Sequence, residues 1–126
     1  MWKLRSVRGF QSNLKKYQKQ HPQEVIAVFF NLENVKNTMN TLHNMNRASQ
    51  LISCIRHEGN DLYAVDTRGA DIRHSTKLKT TRLYIYPHTP STTLHLLRIG
   101  DKDSQKQDLL TCRKKIETIK KGEQNG

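Results

Sequence analysis

Apolar and polar positions change rhythm several times along this chain, and each change marks an element. Residues 2–7 (WKLRSV) alternate weakly, the period of a strand. Phe10, Leu14 and Tyr17 then recur as the stripe of an amphipathic helix whose other side carries Lys15, Lys16 and Lys19. Pro22 ends that helix and suits the first turn of a second, where a proline forfeits no intrahelical hydrogen bond. Val25, Val28 or Phe29, Leu32, Val35, Met39 and Leu42 carry the second helix onward. So short a connection predicts an antiparallel helical hairpin, its apolar stripes facing the core.

Residues 43–60 keep no period and read as irregular, with one helical turn over 49–55. DLYAVDTR (61–68), TRLYIYP (81–87) and TTLHLLRIG (92–100) are rich in strand formers in alternation, and HTPS (88–91) supplies a turn. Between the first two lies a basic loop, GADIRHSTKLKT (69–80). From Asp103 onward, Leu109, Cys112, Ile116 and Ile119 mark a closing helix that stops near Lys121 and Gly122, leaving 122–126 as a disordered tail. The fold class expected is α+β, one domain over 1–121. A two-helix hairpin and the C-terminal helix cover one face of a twisted, mostly antiparallel four-stranded sheet and leave the other face open.

Parity then assigns side chains to faces. Leu83 and Ile85 turn inward, so Arg82, Tyr84 and Tyr86 point to the open side. In the preceding strand Leu62, Ala64, Asp66 and Arg68 oppose Tyr63 and Val65, which brings Asp66 and Arg68 near Arg82. In the last strand His95, Leu97 and Ile99 look more core-like than Leu94, Leu96 and Arg98, so Arg98 joins the open face. Arginines beside tyrosines suit RNA, since guanidinium groups grip phosphate and tyrosine rings stack on unpaired bases. The plainer alternative makes Arg82 a surface ion pair with Asp66 and the tyrosines half-buried edge aromatics.

Charge sharpens this picture. The 126 residues include 22 Lys and Arg against 11 acids, a formal net charge of +11. Residues 1–20 hold six bases and no acid, residues 21–67 are slightly acidic, and residues 68–98 hold six bases and one acid. Regional charge of this kind favours a polyanion partner over uniform solubilisation. Cys54 and Cys112 lack metal-ligand spacing and are expected as buried thiols of a reducing compartment. The start MWKLRSVRGF lacks a secretory apolar run, so a cytoplasmic location without membrane contact is expected.

The basic first helix, the second helix, TRLYIY and LHLLRIGDKDSQKQDLLTC together resemble the RelE/ParE superfamily of bacterial toxins, in its HigB- and RelE-like branch. The strongest local match is Ile99-Gly100-Asp101-Lys102 followed by Gln105 and Asp108. The resemblance implies a microbial ribonuclease fold and metal-independent, cofactor-free cleavage of messenger RNA on the ribosome, with a cognate antitoxin as partner. It implies Arg82 as the phosphate-stabilising arginine and Lys102 as a cation for the leaving oxygen, although Lys102 also fits a plain loop-capping role. Arg68, Arg73, Lys77, Lys79, Tyr84 and Arg98 are the candidate RNA contacts.

One departure matters. Where RelE-like enzymes commonly carry strand lysines as general base, this chain has Ala64 and Asp66, with only Arg68 basic. That leaves Asp66, one of His57, His74 and His88, or Lys77 and Lys79 of the loop for the role. It also keeps open a ParE-like, non-nucleolytic inhibitor of DNA gyrase, or an inactive RNA- or ribosome-binding module.

Overall fold

The computed structural model describes residues 1–70 and 78–125, excepting the side chains of 123–125. Its elements run β1 (Lys3–Ser6), α1 (Phe10–Gln20), α2 (Pro22–Leu42), α3 (Met45–Leu51), β2 (Ile55–Gly59), β3 (Leu62–Asp66), β4 (Thr81–His88), β5 (Thr93–Asp101) and α4 (Gln105–Asn125). The α+β class stands, with a five-stranded mixed sheet ordered β1-β5-β4-β3-β2. β1 pairs with β5 in parallel, and the other neighbours are antiparallel.

The helical hairpin forms as its pattern dictates. His21 breaks the path between α1 and α2, and Pro22 opens α2. Phe10, Val25, Val28, Leu32, Val35 and Met39 pack with Val65, Leu83, Ile85, Leu94, Leu96 and Ile99 in the larger core. Residues 43–60 are more ordered than their lack of period implied. Asn44 caps α3 by accepting from the Arg47 backbone N–H at 3.0 Å, and β2 follows as a fifth strand. An edge strand needs only one apolar anchor, here Ile55, and its exposed polar residues Arg56 and His57 hide the alternation. The legible signal was Gly59-Asn60, a turn pair whose φ values of 110° and 51° suit a tight hairpin.

The main correction concerns the second face of the sheet. It is not open: α4 lies across it. Leu62, Ala64, Tyr84, Tyr86 and Leu97 form a second core with Cys112 and Ile116, flanked by Leu109 and Ile119. The stripe read on the closing helix is therefore its buried face, but applied to the sheet side opposite the hairpin. The physical reason lies in β4, where Leu83 and Ile85 demand cover on one side and the rings of Tyr84 and Tyr86 on the other. An uncovered face of this composition would leave a contiguous apolar patch in water. α4 also continues to Asn125, beyond the stop expected at Lys121 and Gly122.

A bulge sets β5 apart. Register shifts at Tyr84/Ile85, so Arg98 opposes Tyr84 and Leu96 opposes Ile85, leaving Leu97 unopposed. Leu94, Leu96 and Ile99 consequently belong to the hairpin-side core, while Leu97 belongs to the α4 side. Simple parity fails across this bulge, yet Arg98 still reaches the face of Arg82 and Tyr84.

Candidate nucleic-acid interface

Arg82 sits mid-sheet, opposite Asp66 on β3 and Gly100 on β5. Its expected exposure is corrected by the structure: only 6% of the residue is accessible. The ion pair with Asp66 does not form either. The Nε and Nη1 atoms of Arg82 are buried with no hydrogen-bond acceptor, and the hydroxyl of Tyr84 is buried without a partner. Burial, reinforced by the charges of Asp108 and Glu58, pushes the Tyr84 phenol above its ordinary range, so it stays protonated. Unsatisfied buried polar groups are costly, and a guanidinium without an acceptor is among the costliest. Tyr84, at 0% exposure, likewise offers no stacking surface in this arrangement.

Asp66 is engaged locally. Its Oδ1 accepts from the Arg68 backbone N–H at 2.8 Å, and its Oδ2 lies 4.0 Å from Arg68 Nη2. The Asp66 carbonyl accepts from Asn31 of α2 at 2.8 Å. Arg68 is exposed just beyond the strand. Lys79 serves the other side of the molecule: its backbone N–H donates to Glu24, and its ammonium meets Asp101 at 2.9 Å and Asp103 at 3.9 Å. Arg73 and Lys77, with His74, lie outside the described residues.

The Ile99-Gly100-Asp101-Lys102 segment proves to be the end of β5 and the turn that leads into α4. Asp101 Oδ1 accepts from the backbone N–H groups of Asp103 and Ser104 at 2.9 and 3.1 Å. Burial alone would raise the Asp101 carboxyl, but the Lys79 ammonium and these backbone donors hold it below the ordinary range. Asp108, 1% exposed, accepts from Arg98 Nε at 2.6 Å and from Ser104 Oγ at 2.6 Å. Asn13 of α1 brackets Ile99 from the other side, donating to its carbonyl at 3.1 Å and accepting from its N–H at 2.7 Å. Lys102 is exposed on the turn, and capping falls to Asp101 and Ser104 instead. Arg98 lines a cleft of about 400 Å³ with Lys16, Tyr17 and His21.

Of the candidates, then, Arg82, Tyr84 and Arg98 share one sheet face, with Asp66 opposite Arg82. Arg68, Lys79 and Lys102 do not join them. Sequence reasoning missed a second cationic feature, a groove between β1 and α4 lined by Lys3, Arg5, Arg8 and Lys115 with His88 and His95. The alternation of Lys3 and Arg5 on a strand was its available sign.

Other reactive groups are spoken for. His57 Nε2 lies 2.6 Å from the Asn60 carbonyl, and His88 Nδ1 lies 2.6 Å from Ser91 Oγ. Cys54 and Cys112 are free and buried, and burial pushes their thiols up to about 11 and about 12. Thiolate is the reactive form, so both should label slowly with a disulfide reagent at pH 8 until urea unfolds the protein. Rapid labelling of the folded chain would contradict that burial. Among the described residues, no cluster of His, Cys, Asp or Glu could hold a metal ion. None of the described helices is long and apolar enough to cross a membrane. Compared with models of known protein families, with curated proteins and with solved structures, the chain matches none.

Proposed function

We propose that this protein is the toxin of a toxin–antitoxin pair, a ribosome-dependent endoribonuclease that cuts messenger RNA. The observation that carries the reading is the under-satisfied guanidinium of Arg82, a buried cation whose Nε and Nη1 find no acceptor beside the hydroxyl of Tyr84. Phosphate oxygens are natural acceptors for such donors. A sequence that breaks the rule of satisfied polar groups at one place commonly does so for function. The net charge of +11 adds attraction for RNA.

In this reading the ribose 2′-hydroxyl loses its proton to Asp66 and attacks the adjacent phosphorus. Arg82, and Arg98 once released from Asp108, stabilise the charged phosphorane, the bond to the 5′-oxygen breaks, and that oxygen takes up a proton from water. The products are a cyclic phosphate and a free 5′-hydroxyl. With α4 lying over the second core, no RNA strand reaches Arg82, so the reading requires α4 to lift from the sheet. An antitoxin bearing acidic surface suits the basic chain as its partner.

A second reading has specific support. The cover over Arg82, together with Ala64 and Asp66 where the resemblance asks for lysines, favours a non-nucleolytic inhibitor of the ParE kind acting on DNA gyrase. Induction followed by primer-extension mapping separates the two. Message cut only where ribosomes carry it, and lost in Arg82→Met, supports the nuclease. Growth arrest with intact message and double-strand DNA breaks would transfer the assignment to gyrase.

A further inference from the structure

The second face of the sheet is covered only in part. α4 spans β3, β4 and the bulged half of β5, and its cover gives out toward β1. Lys3 pairs with Thr93 and Arg5 with His95 in the parallel ladder, so both exposed basic side chains share one face at this edge of the sheet. Together with Arg8 and Lys115 they line a groove of about 740 Å³ into which Ser6, Thr93 and Thr118 also open. Among the described residues lining it, none carries a carboxylate. Among the described residues, Lys3, Arg5 and Arg8 have no acidic partner, whereas Lys79, Arg98 and Lys120 elsewhere are each neutralised by an aspartate. On a chain with 11 acids, four cations held together without one form a site of uncompensated charge.

We propose that this groove is a binding track for the phosphodiester backbone of single-stranded RNA, separate from the Arg82 face. It deepens the reading above, since it takes from it that the partner is RNA. Lys3 and Arg5 are two residues apart on one strand, so their stems are separated by roughly 6.6 Å, comparable to the step between successive phosphates. A cleft walled by a helix on one side admits a single strand and not a duplex. His88 places a half-buried ring at the far end, where unpaired bases stack. Thr118, exposed on the α4 wall, offers a hydroxyl to the ribose 2′-hydroxyl.

Lys115 agrees with this. Its Nζ donates to the Leu97 carbonyl at 2.8 Å, and burial, with the charge of Arg98 adding, holds it below the ordinary lysine range. A phosphate in the groove would supply the missing counter-charge. An acidic peptide is the less fitting occupant, because a peptide adding to β1 would use the outer backbone edge, away from these side chains.

The test measures binding of a fluorescein-labelled single-stranded RNA to the whole chain by anisotropy across a salt series. The double variant Arg5→Glu, Arg8→Glu is compared with Lys15→Glu, Lys19→Glu, which makes the same charge change on the exposed side of α1. The groove variant should bind at least about tenfold more weakly, with the slope of log affinity against log salt reduced by about 2. The α1 variant should lose less than about threefold. Both variants must keep the circular dichroism and melting temperature of the parent, and Arg5→Gln, Arg8→Gln provides a milder pair if the glutamates disturb β1. Equal losses in the two variants would overturn the proposal, as would an unchanged groove variant. Tighter binding of a polyglutamate peptide than of RNA, abolished by the groove substitutions, would overturn it in favour of a protein-docking surface. Cleavage is scored separately in the parent and in Arg82→Met, which should still bind RNA but not cut it. Intact groove binding by a parent that cuts no message would sink the nuclease reading alone.

Discussion

Replacing Gly100 by alanine should cost about 3 kcal/mol or more of folding stability, the larger end of what overpacking a tight site produces. A Cβ at this position would lie 2.0 Å from Asp108 Oδ2 and 2.6 Å from Ser104 Oγ. Neither neighbour can give way freely. Asp108 is 1% exposed and holds Arg98 at 2.6 Å, while Ser104 links it to the first turn of α4. Moving Asp108 would break a short, largely buried ion pair, a loss in the range of 3–5 kcal/mol when one partner is left uncompensated. The side chain of Arg98 is one-third exposed, which discounts that figure and keeps the expectation near its lower end. Urea unfolding followed by circular dichroism reads the effect as a drop in midpoint at unchanged slope. A loss below 1 kcal/mol would mean that the β5–α4 junction is softer than its contacts indicate. The same substitution should leave the thiols of Cys54 unreactive if unfolding stays all-or-none.

Arg82→Met should act in the opposite direction and make the protein more stable, by about 1–3 kcal/mol. Replacing buried ionic groups with apolar side chains of similar length is often stabilising, and here the guanidinium has not even an ion partner, since Nε and Nη1 go unsatisfied. Methionine keeps a stem of similar length and removes the charge. The gain should appear as a higher urea midpoint, and growth arrest and message cleavage should vanish in the same variant. Stability rising while activity falls is the signature of a residue kept for function. Destabilisation by more than 1 kcal/mol would show instead that Arg82 is a structural strut, and the nuclease proposal would lose the residue it depends on.

Much of the fold was legible because period alone determines it. The stripe of Phe10, Leu14 and Tyr17, the break at Pro22, the run from Val25 to Leu42 and the closing stripe of Leu109, Cys112, Ile116 and Ile119 all fall on helices, with the core positions expected of them. Strand parity likewise sorted Leu83 from Tyr84 and Val65 from Ala64 correctly. It failed along β5, where Leu94 and Leu96 join Ile99 in the hairpin-side core and His95 and Leu97 do not, because a bulge inserts a residue whose presence depends on the facing strand and not on its own sequence. β2 escaped notice because an edge strand is mostly wet, and its polar surface carries no period.

The candidate site shows the sharper limit. By itself the sequence determined that Arg82, Tyr84 and Arg98 share a face, that charge is concentrated in the first 20 residues and in 68–98, and that two thiols are buried. Only the tertiary structure decided which side α4 would cover, and with it that Arg82 is enclosed while Lys3, Arg5 and Arg8 are left bare beside Lys115. An amphipathic stripe states that a helix must bury one face, but not against what. That choice depends on which surface offers the matching apolar area, and here the rings of Tyr84 and Tyr86, with Leu62 and Leu97, offered it from strands far apart in the chain.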